Sequence, residues 1–203
     1  MNSTQFDPIY IYSAISLILS IIIHETGHLI AAKRCGCKVL VFSIGFGRPF
    51  FQKFIHGTIY QVAWILLGGY CSLKGEMDYR KSKYALTNLK YMQKLYVVLA
   101  GVGVNCLTGL IAYGLYWIFG GEFFFYFAFL TILLGLSNLI PIPGIDGSYP
   151  FLFLLEKVFG KKEGIKVMQR AVDVGMFFIN MLNIGCVYYC IYVGVKWLIA
   201  YFN

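Results

Sequence analysis

His24-Glu25-Thr26-Gly27-His28 is the stretch of this sequence whose residue types and spacing point most directly to chemistry. In a helix of 3.6 residues per turn, positions four apart share a face. Both imidazoles can therefore reach one metal ion, with Glu25 beside the remaining coordination position. Zinc activates water for attack on a carbonyl, and a neighbouring carboxylate can take the proton that the water gives up. The pattern points to peptide-bond hydrolysis. Shuffling 203 residues that include 3 His and 5 Glu produces it in about one chain in a thousand. The bland alternative is a polar helix face solvated by other helices. Three ionisable groups in an unbroken apolar run are costly unless paired or functional, which favours a metal.

A catalytic zinc takes three protein ligands and leaves one position open. The third histidine, His56, falls in an expected hairpin turn, where an ordinary polar turn residue is the simpler reading. Asp7, Glu76, Asp78, Glu122, Glu156 and Glu163 lie at chain ends or in expected polar loops. Asp173 begins an apolar run, where a carboxylate complements a helix amino terminus. Asp146 remains. Depth agrees with this choice: His24 and His28 stand roughly 22 to 29 Å down a helix entered at Ile9, and Asn138 roughly 22 Å down one entered at Phe123. Pro141 and Pro143 then break the second of these, leaving Asp146 at similar depth on irregular backbone. Such backbone is tolerated at membrane depth only around a cavity or protein interior.

The composition sets the solvent for this chemistry. Residues are 59% apolar, 18% aromatic and only 13% charged, against about 25% charged in an ordinary soluble domain. The bilayer is the natural solvent. The expected architecture is a polytopic α-helical membrane protein, one domain over 1–203. Four spans are expected at 9–32, 95–119, 123–142 and 172–200, with a membrane-associated β-hairpin or sheet at 38–72 between the first two. The β region is marked by Val39-Leu40-Val41-Phe42-Ser43-Ile44 and by His56-Gly57 as a two-residue turn.

The net charge of +8 reads as topology, since most Lys and Arg lie between apolar runs and form no continuous basic stripe for nucleic acid. The two basic segments, 33–94 and 157–170, are expected on the cytoplasmic side. Both termini then lie outside, and the metal lies nearer the cytoplasmic face. The first span has no cleavage-site pattern and is expected to be retained. Cys35, Cys37 and Cys71 could bind a second metal but read more simply as free thiols, and Cys186 and Cys190 as packing residues.

Asn138-Leu139-Ile140-Pro141-Ile142-Pro143-Gly144-Ile145-Asp146-Gly147 closely resembles the N-x-x-P-x-P-x-L-D-G signature of the site-2 protease family of intramembrane zinc metalloproteases, with Ile145 replacing Leu. Phe42-Ser43-Ile44-Gly45-Phe46-Gly47 and Leu67-Gly68-Gly69-Tyr70 resemble that family's β region. Ala100-Gly101-Val102-Gly103-Val104-Asn105 resembles its G-x-x-x-N motif. The resemblance covers about residues 10 to 150.

It implies a zinc endopeptidase that cuts transmembrane segments or membrane-embedded peptides in regulated intramembrane proteolysis. The implied site has one Zn2+ on His24, His28 and Asp146, and Glu25 as the catalytic base. Asn138 and Asn105 are implied as substrate-binding residues, although Asn138 could equally cap the broken helix and Asn105 bond to a neighbouring helix. A compact member without a PDZ domain is expected, because Gly120-Gly121-Glu122 is a tight link. The expected setting is a prokaryotic cell membrane, and the expected partners are a membrane-embedded substrate, the lipid bilayer and a second copy or regulatory membrane protein. The competing class is a zinc-binding membrane protein without protease activity, a transporter or silent regulator; Glu25 discriminates, because transport needs no general base beside two ligands.

Overall fold

The computed structural model describes residues 8–76 and 82–160, and, further on, 163–164, 166–167, 169–175, 177–178 and 181. The chain begins with α1, Pro8–Arg34, an apolar helix of 27 residues that carries both histidines of the motif. Two β-strands follow, β1 at Val39–Ile55 and β2 at Thr58–Leu73. Next come α2 at Tyr91–Phe119 and α3 at Glu122–Ser137. A 3-10 turn at Asp146–Ser148 then leads into α4, Tyr149–Phe159. By length and composition α1 and α2 can each cross a membrane, whereas α3, at 16 residues, is shorter than the usual span. The described positions from 169 to 175 are helical. Most of the span expected at 172–200, Cys186 and Cys190 included, lies outside the described residues.

The sheet forms where the β-rich run and the His56-Gly57 turn place it. His56 and Gly57 both take positive φ, 46° and 81°, the arrangement that matches the twist of a two-residue hairpin. The strands pair antiparallel around that turn, from Ile55 opposite Thr58 to Pro49 opposite Ala63. Strand β1 does not stop at residue 47. It bends at Gly45 and Gly47, both at positive φ, and so lies beside β2 twice. Residues 39–44 pair antiparallel with 69–73. On their other side 41–44 run alongside 59–62, where the residue numbers of the two partners rise together.

Helix α3 ends five residues before the expected boundary of 142. Ile140 precedes Pro141, and a residue before proline is disfavoured in the helical region. The last turn tightens accordingly: the N–H groups of Leu139 and Ile140 donate to Leu136 and Ser137 three residues back. The chain then folds back on itself, and the Gly147 N–H donates to the Asn138 carbonyl at 2.7 Å.

Helix α4 departs from the expectation of a polar loop at Glu156. It buries Leu152, Phe153 and Glu156. Together with Ala31, Ala32, Cys37, Val39, Leu73, Leu86, Val97 and Val98, its apolar side chains build a core where the end of α1, the outer ends of the sheet pairing and the start of α2 meet. Farther along the bundle the helices touch through small and polar residues. The Ser20 and Thr131 hydroxyls bond α1 to α3, and a side chain on Gly109 would strike Ile132.

Glu156 is thus a buried residue rather than a loop residue. Its partner is Lys94, which lies inside α2 because that helix starts at Tyr91, with the Lys90 N–H bonded to Gln93 Oε1. Each is 6% exposed, and the ammonium also lies 5.2 Å from the centre of the Phe153 ring. Removing one member leaves the other charge buried and alone. Lys94→Ala or Glu156→Ala should each lose about 3–5 kcal/mol of unfolding free energy in detergent. The apolar pair Lys94→Met with Glu156→Leu should lose less than either single change, as checked by a double-mutant denaturation cycle.

Candidate metal centre

The centre is assembled from α1 and the turn after α3, with α2 and β2 closing it. Helical spacing stacks His24 and His28 on one face of α1, and both are buried, at 5% and 8% exposure. The Nε2 atoms lie 3.2 Å apart. Asp146 brings Oδ2 to 2.9 Å from His24 Nε2 and 3.0 Å from His28 Nε2. The three donors, separated by 122 and 118 residues in sequence, fall within 4.8 Å of one another. A tetrahedral zinc held at about 2.0–2.1 Å from its ligands spaces them by roughly 3.3 Å, so a modest spreading of this triangle admits the ion. Two imidazoles and a carboxylate form a donor set suited to Zn2+, with one position left for water or substrate.

The surroundings prepare these donors. His28 Nδ1–H donates to the Val97 carbonyl at 2.9 Å, which leaves Nε2 free as the ligand atom. His24 Nδ1 is buried and has no protein partner among the described residues. Gly101 of α2 lies directly beneath both rings. A Cβ there would press on His28 Nε2 and lie 2.9 Å from His24 Cε1 and Nε2, in space the ion needs. Glu25, 8% exposed, points to β2, where a Cβ on Gly69 would come within 2.9 Å of Glu25 Cγ and 2.7 Å of the Ser43 carbonyl. Both glycines occur in the sequence patterns noted above, yet only the approach of a second element shows that each has no room for a side chain.

The remaining candidates separate clearly. Asn138 caps α3: its Nδ2 donates to the Leu134 carbonyl at 2.9 Å. Asn105 is wholly buried against Gly135, and neither its Nδ2 nor its Oδ1 has a protein partner among the described residues. No bond from it to a neighbouring helix is therefore found there. His56 stays in the hairpin turn. Asp173 is exposed on a helical segment. Cys35, Cys37 and Cys71 are free thiols, and among the described residues they form no three-ligand group. Burial, with the nearby Glu76 and Cys35, pushes the Cys37 thiol up to about 11, so it stays protonated.

Glu76, expected in a polar loop, instead joins the structure around the centre. Its Oε2 accepts the Leu73 N–H at 3.1 Å, and its Oε1 accepts the Tyr149 hydroxyl at 2.7 Å. Burial raises its carboxyl above the usual range, while these two bonds hold it down.

The space over the histidines can be tested with alanine. Gly101→Ala should abolish stoichiometric zinc in the purified protein, measured by elemental analysis after equilibration with the metal. Gly103→Ala, whose Cβ would meet nothing within 4 Å, should retain it.

The chain is similar to proteins already known. Residues 12–122 and 120–182 match the sequence profile described as Peptidase family M50. A protein of Campylobacter jejuni named as a zinc metalloprotease is 36% identical over 139 residues, 64% of this chain and 33% of its own length. A Haemophilus influenzae protein named Regulator of sigma E protease is 34% identical over 112 residues, 53% of this chain and 25% of its own length. The chain thus spans about a third or less of these curated relatives. The solved structure of the Site-2 Protease from Methanocaldococcus jannaschii shares the fold, with a TM-score of 0.53 at 21% identity over 94% of this chain and 73% of that one. With its profile match extending across most of its length, the chain belongs to peptidase family M50.

Proposed function

We propose that this chain is a zinc-dependent endopeptidase that hydrolyses peptide bonds in transmembrane segments or membrane-embedded peptides, as a step of regulated intramembrane proteolysis. The observation that carries the reading is the triangle of His24, His28 and Asp146 donors with Glu25 buried beside it on a helix apolar and long enough to span a bilayer. The proposed setting is a four-span protein of a prokaryotic cell membrane, with both termini outside and the centre nearer the cytoplasmic face. Its partners are a membrane-embedded substrate, the bilayer and a second copy or regulatory membrane protein.

The chain's own residues divide the work. His24, His28 and Asp146 hold the ion, which when bound supplies Lewis acidity toward water and the scissile carbonyl. Glu25, one residue from the first ligand, takes the proton from the attacking water and returns it to the leaving amine. A peptide bond inside a helix is screened, so the substrate must be extended, and its freed backbone groups need partners in a dry site. Residues 69–73 of β2 pair with 39–44 on one side, and Gly69 passes over Glu25. Their other edge can receive an extended substrate strand. The buried amide of Asn105, without a protein partner among the described residues, offers further bonds, and Asn138 stands at the turn that carries Asp146.

Glu25→Gln should retain zinc and lose about 10²–10⁴-fold in cleavage of single-span peptides in liposomes. If wild type holds zinc yet cleaves none of a broad panel, the protein is a non-proteolytic zinc protein instead. The strand edge has its own test. Successive N–H groups alternate across a strand, so of Tyr70→Pro and Cys71→Pro one spares the pairing with β1. That variant should keep zinc and lose cleavage; undiminished cleavage would remove the edge from the mechanism.

A further inference from the structure

We propose that Glu76 and Tyr149 form a latch that positions Asp146 for the metal, so that the end of β2 sets the placement of the third ligand. The inference rests on the metal reading of His24, His28 and Asp146. Asp146 comes from a turn rather than from a regular element, and apart from its carboxylate contacts with His24 and His28 the bonds that shape this turn are local. Ser148 bonds to the Ile145 carbonyl, the Tyr149 N–H to the Asp146 carbonyl, and the Gly147 N–H to the end of α3. These bonds shape the turn and attach it to α3. None of them fixes it to the sheet.

Tyr149 does. It lies one helical turn beyond Asp146, and its hydroxyl reaches Glu76 at 2.7 Å. Glu76 is itself fixed at both ends to the last residue of β2, because its Oε2 accepts the Leu73 N–H and its own N–H donates to the Leu73 carbonyl at 3.3 Å. Each carboxylate oxygen thus has one partner, and the pair joins two chain segments 73 residues apart. The Tyr149 ring packs on Phe153, with centroids 5.8 Å apart, and Phe153 belongs to the buried core. The phenol is therefore anchored at the ring and directed at the tip. Strand β2 also carries Gly69 over Glu25. The same strand accordingly orders both the general base and, through the latch, the carboxylate ligand. Groups that orient a ligand in this way commonly account for about 10–100-fold in metal affinity.

The test uses the full chain in detergent, stripped of metal and titrated with Co2+ alone, with affinity from chelator competition and ligand geometry from the visible absorption band. Tyr149→Phe and Glu76→Ala should each weaken binding about 10–100-fold and alter the band at a temperature where the metal-free variant is still fully folded, so that any fall in its melting midpoint does not account for the loss. Glu76→Gln should restore near wild-type binding, since its carbonyl oxygen can accept the Leu73 N–H while its amide donates to the Tyr149 oxygen. If Tyr149→Phe and Glu76→Ala bind Co2+ with wild-type affinity and band, or lower only the melting midpoint, the latch is overturned while the metal site stands. If wild type binds no Co2+, or His24→Ala binds it as wild type does, the metal site fails and the latch with it.

Discussion

A carboxyl group from a turn and two imidazoles of α1 share a small volume among apolar helices, and most of the molecule is arranged around the cost of that placement. A lone buried charge is expensive, whereas charges that meet one another or a cation offset the loss of water. The three donors come together only because α3 ends early. A continuous helix to residue 142 would carry Asp146 away from His24 and His28. The two prolines stop it, and the return of Gly147 to the Asn138 carbonyl brings the acid back to α1. Of this irregular segment Gly147 and Ser148 are buried, whereas Leu139, Ile140 and Ile142 stay exposed, so only the end that carries Asp146 packs into the protein.

The same constraint governs packing. Helices in lipid gain little from burying apolar side chains against one another, so close contact and polar pairs hold them. The middle of the bundle shows this, with Gly27 against Ala100 and Gly101, and Ser20 against Thr131. Toward the basic end, a different solution operates. The ends of the strands, the start of α2 and α4 bury leucine, valine and phenylalanine in a core resembling that of a soluble domain, and Lys94 and Glu156 are paired inside it. The metal centre lies between these two regimes. One rests on small side chains that allow close approach, and the other on a packed core that supports the sheet over Glu25.

Local pattern identified what is locally determined. The two histidines four apart, the apolar character of α1 and α2, the hairpin at His56-Gly57 and the proline break before Asp146 are each settled within a few residues, by helical period, φ preference or missing N–H groups. Asp146 could be singled out because so few acids occupy the apolar runs. Helix α4 and the buried Glu156 could not. An apolar stretch of 11 residues is too short to register as a membrane span, and Glu156 and Lys157 near its end read as the start of the basic connection until the core that the helix covers is known.

By itself, then, the sequence determined the chemistry available to this protein: which side chains can bind a metal, which carboxylate stands beside them, and that two helices are long and apolar enough to cross a membrane. The tertiary structure decided which of those groups meet and what must stay out of their way. Gly101 beneath the imidazoles, Gly69 over Glu25, the burial of the Asn105 amide against Gly135 and the bond from Tyr149 to Glu76 all depend on contacts between distant segments. Periodicity places a residue on a face of its own helix or strand; only packing determines what that face touches.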